Sequence, residues 1–241
     1  MIKFNRAVPT DKLKLLIFDL DGTLVDSRMD LANSINAMLR NYHRPELPPD
    51  VIATYIGDGA PTLVRRSLGF KDDHDLAPKE EEFIEDALVF FLEWYREHKL
   101  DTTYVYDGVI DALQHLATHP NGTKRTMTVL SNKPVNPSRA ICSALGLGQF
   151  FKVVYGGNSF ETKKPDPFGV RVLLEECAAK PEEALIIGDS DIDVLTAKNA
   201  GIWSCGVTYG LSPETLVETP GDVMVDSPSE WVEAFNGTAK P

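Results

Sequence analysis

Three aspartates lie close together near the start of the chain, in the segment LLIFDLDGTLVDS at residues 15–27. Asp19 and Asp21 follow a run of four apolar residues, and Asp26 comes shortly after them. Aspartate is a poor strand former and neighbouring carboxylates repel one another, so a purely structural loop gains little from this arrangement. The spacing therefore predicts that a positively charged group is bound here.

Three further polar clusters come after other predicted strands. They are Ser131 and Asn132 in LSNKP, Lys164 in KKPDP, and Asp189 and Asp193 in GDSDID. The lysine lies several residues beyond its strand, whereas the other clusters follow theirs directly. Because the carboxyl ends of strands in an open parallel sheet face one crevice, all four clusters are expected to converge in space.

The converging residue types suit a metal ion and a phosphate group. Asp19, Asp189 and Asp193 offer hard oxygen ligands, and carboxylates without histidine or cysteine favour Mg²⁺. The charge of such an ion offsets the repulsion among the acids. Lys164 and the Ser131 hydroxyl are groups that hold phosphate oxygens.

The first two aspartates can divide the chemistry of phosphoryl transfer between them. Asp19 can attack phosphorus and form an aspartyl-phosphate. Asp21 lies two residues on, so in an extended chain its side chain points the same way. It can protonate the leaving oxygen and then activate water.

The elements that must position these residues alternate between short apolar strands and helices, which predicts an α/β fold with a parallel sheet covered by helices. The predicted strands are residues 15–18, 126–130, 152–155, 184–187, 203–207 and 223–225. Residues 27–102 are predicted to be all-helical and to interrupt this α/β part just after its first strand. We call residues 27–102 the cap, and residues 1–26 and 103–241 the core.

Within the cap, the apolar stripe with Phe83, Phe91 and Tyr95 is predicted to form cap core rather than a cofactor pocket. Ser27 resembles the N-cap of the first cap helix, and Asp26 is expected to cap that helix rather than do chemistry. The segment IGDGAP, residues 56–61, is a polar glycine loop between helices that we call the cap loop. Physical reasoning alone does not choose between two roles for the cap loop, a plain connection between helices and a determinant of substrate specificity.

Composition excludes several classes of function. The chain has 241 residues, a formal net charge of −12 and a sequence pI of about 4.8, which argues against non-specific binding to nucleic acid or to an anionic membrane. Its first 14 residues include no apolar run long enough for a signal peptide, and no segment reaches the ~18 apolar residues of a membrane span, so we expect a cytoplasmic location. Cys142, Cys177 and Cys205 are far apart, and neither a disulfide framework nor a zinc site is expected.

The motifs FDLDGTLVDS, LSNKP, KKPDP and GDSDID resemble the four motifs of the haloacid dehalogenase (HAD) superfamily of phosphohydrolases, in the same order and over nearly the whole chain. Two further segments, TYIGDGAPTLVRRSLG and NAGIWSCGVTYG, resemble the bacterial phosphoglycolate phosphatases within that superfamily. The stretch KKPDPFG is shorter than the KKPHPDP-like form of close relatives, but Lys164 keeps its place before Pro165.

The resemblance implies a Rossmann-like core with an inserted helical cap of the C1 type. It implies Mg²⁺ bound by the Asp19 carboxylate, the Asp21 backbone carbonyl and Asp189, with Asp193 supporting the metal through water or from behind its ligands. It also implies that Ser131, Asn132 and Lys164 bind phosphate, with Lys163 a rival to Lys164 on physical grounds. In the cap, it favours a specificity role for the cap loop, which includes Gly57, Asp58 and Gly59. Arg65 is a further candidate because an arginine can pair with a substrate carboxylate, although most arginines on a helix are solvated or make surface ion pairs.

The expected function is a Mg²⁺-dependent phosphatase that acts on a small phosphomonoester, with 2-phosphoglycolate as the leading substrate. The alternative is a phosphatase or phosphomutase of the same fold that acts on sugar phosphates or nucleotides. A dehalogenase is disfavoured because attack on carbon needs neither this metal site nor Asp21. A catalytically silent binding module is a third hypothesis, disfavoured because every chemical position is intact. The sequence leaves the choice between monomer and homodimer open.

Overall fold

The computed structural model describes residues 1–71 and 75–237. Nine strands and nine α-helices are found among them. The strands are β1 (Lys3–Phe4), β2 (Leu15–Phe18), β3 (Val25–Asp26), β4 (Tyr104–Val105), β5 (Thr126–Leu130), β6 (Val154–Tyr155), β7 (Ala184–Gly188), β8 (Trp203–Val207) and β9 (Val223–Val225). The helices are α1 (Arg28–Asn41), α2 (Pro49–Ala53), α3 (Ala60–Ser67), α4 (Pro78–His98), α5 (Val109–Leu116), α6 (Val135–Ala144), α7 (Phe168–Glu176), α8 (Asp191–Ala200) and α9 (Ser229–Asn236).

The core is built on a seven-stranded sheet in the order β1-β9-β8-β7-β2-β5-β6. Every neighbouring pair is parallel except β1 and β9, which are antiparallel. The predicted parallel sheet covered by helices is therefore confirmed. Helices α5, α6 and α9 pack on one face, and α7 and α8 pack on the other.

Strand β2 lies between β5 and β7, and all four of its residues are fully buried. Leu16 and Phe18 pack into the apolar cluster on one face, whereas Leu15 and Ile17 pack into the cluster on the other. This alternation follows from the two-residue period of a strand, and burial on both faces explains why the strand reads as a continuous apolar run.

Helices α1 to α4 share an apolar cluster of their own, separate from the two clusters of the core. Leu31 and Ile35 of α1 meet Phe91 of α4 in that cluster. The helical character of the cap agrees with the sequence, and its division from the core at residues 26/27 and 102/103 stays a prediction. Within residues 1–71 and 75–237, none of the helices combines the length and apolar character needed to cross a membrane.

Three short strands were not apparent from the sequence. β1 pairs with β9, and β3 pairs with β4 at the point where the chain enters and leaves the cap. A two-residue strand has no periodicity of its own and is defined only by its distant partner. The predicted strand at 152–155 is shorter in the structure, because β6 comprises only Val154–Tyr155.

The start of α1 differs from the prediction in its capping side chain. Ser27 occupies the N-cap position, but its hydroxyl donates a hydrogen bond to Asp21 Oδ1 instead of capping the helix. Asp26 Oδ1 accepts a hydrogen bond from the backbone N–H of Arg28 at 3.0 Å. Asp26, the predicted capping residue, therefore pairs with the first backbone N–H of the helix, whereas the hydroxyl of Ser27, the predicted N-cap residue, bonds to Asp21 instead.

A buried carboxylate joins the two chain segments that connect cap and core. Asp30, near the start of α1, is only 1% exposed. It accepts hydrogen bonds from the backbone N–H and the hydroxyl of both Thr102 and Thr103, including 2.8 Å to Thr103 N and 2.7 Å to Thr103 Oγ1. Burial alone would raise the pKa of Asp30, but the hydrogen bonds from Thr102 and Thr103 lower it by more. The net pKa therefore lies below its usual value of 3.8.

We expect Asp30→Asn to lower the free energy of unfolding by about 2–3 kcal/mol, because an amide nitrogen cannot accept hydrogen bonds from the donors of Thr102 and of the buried Thr103. Urea denaturation measures the change. The matched control is Asp101→Asn, on a side chain that is 57% exposed, where the change should stay within about 0.5 kcal/mol.

The lowered pKa of Asp30 also gives this prediction a pH dependence. The stabilisation from Asp30 is fully present above its unfolded pKa and is lost as the pH falls through the lowered folded value. Asp30→Asn should therefore lose less stability than the wild type on acidification. Equal losses in the two proteins would contradict the assignment.

Candidate active site

The loops that follow β2, β5 and β7 meet at one edge of the sheet. Phe18, the last residue of β2, is in register with Val129 of β5 and Ile187 of β7. The residues that follow these positions therefore emerge side by side. They line a cavity of about 50 Å³ between core and cap, whose core wall includes Asp19, Asp21, Ser131, Lys133, Asp189 and Ser190.

Three buried carboxylates form what we call the acid cluster: Asp19, Asp189 and Asp193. One oxygen from each lies within 4.8 Å of the others. Burial raises the pKa of Asp19 to about 6, with Asp193 adding to the shift and Lys164 opposing it. Burial, reinforced by the charge of Asp19, also raises the pKa of Asp189.

Lys164 lies beside two members of the acid cluster. Its Nζ is 2.9 Å from Asp19 Oδ1 and 2.6 Å from Asp193 Oδ1. Burial lowers the pKa of this ammonium, but the charges of Asp19 and Asp193 outweigh burial and leave it raised. Lys163, the rival in the sequence, instead donates to the backbone carbonyl of Asp58 in the cap loop.

Asp21 is held by two side chains that the sequence reasoning did not assign to the site. The hydroxyl of Ser27 donates to Asp21 Oδ1, and the Nζ of Lys133 lies 3.1 Å from Oδ1 and 3.0 Å from Oδ2. Lys133 directly follows Asn132 in LSNKP, just after a predicted strand, and this position was the sequence signal that could have placed it in the site. A lysine after a strand is too common for that signal to be specific.

The charges of this crevice are unbalanced and fit a divalent cation. When all four are ionised, the carboxylates of the acid cluster and Asp21 face only the two ammonium groups of Lys133 and Lys164, which leaves two negative charges. Asp19 Oδ1 is buried and, although Lys164 is near, has no hydrogen bond of normal geometry among the described residues. Asp189 Oδ2 accepts from the backbone N–H of Leu211 at 2.7 Å, which fixes that carboxylate. An all-oxygen donor set of this kind suits Mg²⁺.

The predicted phosphate-binding residues differ in their surroundings. Ser131 lies on the cavity wall, and Lys164 is buried behind it among the acids. The side-chain amide of Asn132 donates to the carbonyl of Gly57 in the cap and to the carbonyl of Lys164, both at 3.0 Å. Both N–H groups of the Asn132 side chain are therefore engaged in this conformation, and its role in phosphate binding stays a prediction.

The cap loop lies over the core with its glycines inward. Gly57 and Gly59 line the cavity. Gly59 has a φ of 89°, and a Cβ there would lie 2.9 Å from the carbonyl oxygen of Asn132, so only glycine fits. Asp58 forms an ion pair with Arg66 at 2.7 Å, and Arg65 donates to the carbonyl of Lys71. Of the four predicted specificity residues, the two glycines thus reach the cavity, and the two charged side chains engage the cap itself.

Comparisons with known proteins agree with this geometry. Residues 16–207 match the family model described as haloacid dehalogenase-like hydrolase. The chain is 39% identical over 198 residues to "Phosphoglycolate phosphatase 1" of Pseudomonas aeruginosa, covering 82% of this chain and 70% of the relative. It is 34% identical over 218 residues to "Phosphoglycolate phosphatase" of Chromobacterium violaceum, covering 90% and 94%. The crystal structure of a predicted phosphoglycolate phosphatase from Haemophilus somnus has a TM-score of 0.82 at 29% identity, covering 92% of this chain and 98% of the other.

The raised pKa values in the acid cluster predict a pH-dependent stabilisation by Mg²⁺. A carboxyl whose folded pKa is raised to about 6 destabilises the metal-free protein progressively as the pH rises through that value. A divalent cation binds the ionised form and competes with the proton. At roughly 100 times its dissociation constant, it should stabilise the protein by about 2.7 kcal/mol.

Thermal denaturation with and without Mg²⁺ at about pH 5 and about pH 8 measures this effect, on either side of the Asp19 value. The increase in Tm should be larger at the higher pH, and Asp189→Asn should largely abolish it. Asp191→Asn, a change in the same GDSDID motif but outside the acid cluster, is the control and should keep it. An equal increase in Tm at both pH values would contradict the assignment.

Proposed function

We propose that this chain, a member of the haloacid dehalogenase-like hydrolase family and a phosphoric monoester hydrolase, hydrolyses 2-phosphoglycolate. The proposed reaction uses Mg²⁺ and forms an aspartyl-phosphate on Asp19. The observation that carries the proposal is that Asp19, Asp21 and Asp189 share one cavity wall, with the ammonium of Lys164 beside Asp19 and Asp193. The relatives named phosphoglycolate phosphatase support the substrate.

In the proposed reaction, a carboxylate oxygen of Asp19 attacks phosphorus and the bond from phosphorus to the ester oxygen breaks. Asp21 gives its proton to that oxygen, so that glycolate leaves. Asp21 then accepts a proton from water as the water attacks the phosphorus of the aspartyl-phosphate. Inorganic phosphate departs and Asp19 is regenerated, which returns both carboxyl groups to their starting states.

The surrounding residues position the substrate and offset its charge. Lys164 and Ser131 would hold the phosphate oxygens during both transfers. Mg²⁺, when bound by Asp19, the Asp21 carbonyl and Asp189 with support from Asp193, would neutralise the charge that develops on the phosphoryl group. The cap places Leu31, Leu63 and Phe91 over the cavity, which limits the access of bulk water.

The substrate assignment predicts a metal-dependent preference for 2-phosphoglycolate. Phosphate release from a panel of phosphomonoesters, which includes sugar phosphates and nucleotides, should be greatest with 2-phosphoglycolate and should disappear when EDTA replaces Mg²⁺. Metal-dependent turnover spread evenly over sugar phosphates and nucleotides would keep the reaction type but contradict the substrate. Turnover that is unchanged in EDTA would contradict the role of the metal.

The division of labour between the first two aspartates predicts unequal losses. Asp19→Asn should abolish turnover because the nucleophile is gone, whereas Asp21→Asn should reduce kcat by roughly 10²-fold or more because only acid–base help is lost. Single-turnover assays with radiolabelled substrate should show labelled protein in the wild type and none in Asp19→Asn. Asp191→Asn is the control and should keep most of the activity. Normal turnover by Asp19→Asn would rule out the covalent route.

A further inference from the structure

The cavity wall contains one basic side chain among the described residues that line it, and that side chain is Lys133. Its Nζ contacts both carboxylate oxygens of Asp21, at 3.0 and 3.1 Å. In the proposed reaction, Asp21 serves the ester oxygen of the leaving group. Lys133 therefore lies on the side of the cavity that receives the leaving group, not the phosphate.

A tyrosine from the cap lies against this lysine. Tyr95 of α4 is 3% exposed, lines the cavity, and has its ring centroid 4.6 Å from Lys133 Nζ. Its hydroxyl is buried and makes no hydrogen bond of normal geometry with any described residue, although the Lys133 ammonium is near enough to interact with it. Burial raises the pKa of Tyr95 to about 12, so the group is a protonated donor at neutral pH.

A buried hydroxyl without an acceptor is costly, and most such groups in folded proteins are paired. Lys133 cannot supply the missing acceptor, because an ammonium only donates hydrogen bonds. Both residues line the same cavity, and none of the described residues supplies an acceptor for the Tyr95 hydroxyl. A ligand that brings an anionic oxygen would provide it.

A third feature of the cavity, the start of helix α3, also favours an anion. Helix α3 begins at Ala60, and both Gly59 and Ala60 line the cavity. The first N–H groups of a helix lack intrahelical partners and carry its partial positive charge, which favours anions. The start of α3 therefore adds to the attraction for an anion without adding a side chain.

We propose that Lys133, the Tyr95 hydroxyl and the start of α3 form a subsite for the carboxylate of the substrate, so that the enzyme selects phosphomonoesters with an acid group next to the ester carbon. The inference rests on the proposed function, which supplies the orientation of the leaving group. In 2-phosphoglycolate, the carboxylate carbon is two bonds from the ester oxygen. A substrate whose ester oxygen lies at Asp21 thus carries its carboxylate towards Lys133.

The apolar surroundings make this subsite selective. Leu31, Leu63 and Phe91 line the cavity beside Tyr95, so water can replace a missing carboxylate only poorly. A site built to bind a charged group discriminates strongly against an analogue without it, because the buried donors are then left unpaired.

The test compares 2-phosphoglycolate with 2-hydroxyethyl phosphate, which has the same chain length but a hydroxymethyl group in place of the carboxylate. The measured quantity is the ratio of kcat/KM for the two substrates. Tyr95→Phe keeps the ring and removes only the hydroxyl, and should lower the ratio about 10- to 100-fold. Lys133→Met should lower it by about 100-fold or more. Because Lys133 also contacts Asp21, activity on both substrates should fall in that variant, and only the ratio reports on the carboxylate.

Two matched controls separate the subsite from general damage. Tyr106→Phe removes another buried hydroxyl without a partner among the described residues, at a residue that does not line the cavity. Lys163→Met removes a neighbouring ammonium that contacts the cap loop. Both variants should keep the wild-type ratio.

The outcomes distinguish this inference from the proposed function. A wild type that prefers 2-phosphoglycolate, with a ratio unchanged in both Tyr95→Phe and Lys133→Met, would overturn the subsite and leave the function intact. A wild type that hydrolyses both substrates equally well would overturn both the substrate and the subsite. A ratio that falls in both variants but in neither control supports the subsite.

Discussion

The structure depends on the confinement of four carboxylates in a crevice from which water is largely excluded. Burial and mutual repulsion both oppose ionisation of the acid cluster, and this is why the pKa values of Asp19 and Asp189 are raised. Lys133 and Lys164 compensate for two of the four charges. The remaining imbalance suits a divalent cation, so the electrostatic cost of the crevice and the proposed chemistry have the same origin.

The parallel sheet makes this confinement possible. Side chains from distant parts of the sequence can meet only if the strands that carry them end at one level. The register of β2 with β5 and β7 ensures this, because Phe18 is aligned with Val129 and Ile187. The complete burial of β2 between two neighbours fixes its register, since a slip by one residue would exchange its two apolar faces. The precision of the site thus comes from apolar packing beneath it.

Much of this could be predicted from the sequence, because the relevant signals are local. The apolar run before Asp19, the β-branched residues of β5 and the GDSDID turn after β7 each mark a strand end, and parallel topology brings such ends together. The structure also places Lys164, rather than Lys163, among the acids, while its role in phosphate binding stays a prediction.

Other features could not be predicted, because they arise from contacts between segments far apart in the chain. Ser27 looked like a helix cap, but Asp21 competes for its hydroxyl and Asp26 takes over the capping. Tyr95 was assigned to the cap core, and it does pack there, yet it also lines the cavity and lies against Lys133. The sequence held one hint of this, the residue type itself, since a tyrosine on an apolar helix face needs a hydrogen-bond partner for its hydroxyl.

Asn132 shows why a residue can belong to a motif and still act at a distance from the ligand. Its amide connects the Gly57 carbonyl of the cap loop to the carbonyl of Lys164. Lys164 in turn contacts Asp19 and Asp193 through its ammonium. Displacement of the cap loop would leave one buried N–H of Asn132 unpaired, which costs free energy. The position of the cap loop and that of Lys164 are therefore energetically coupled through a single side chain.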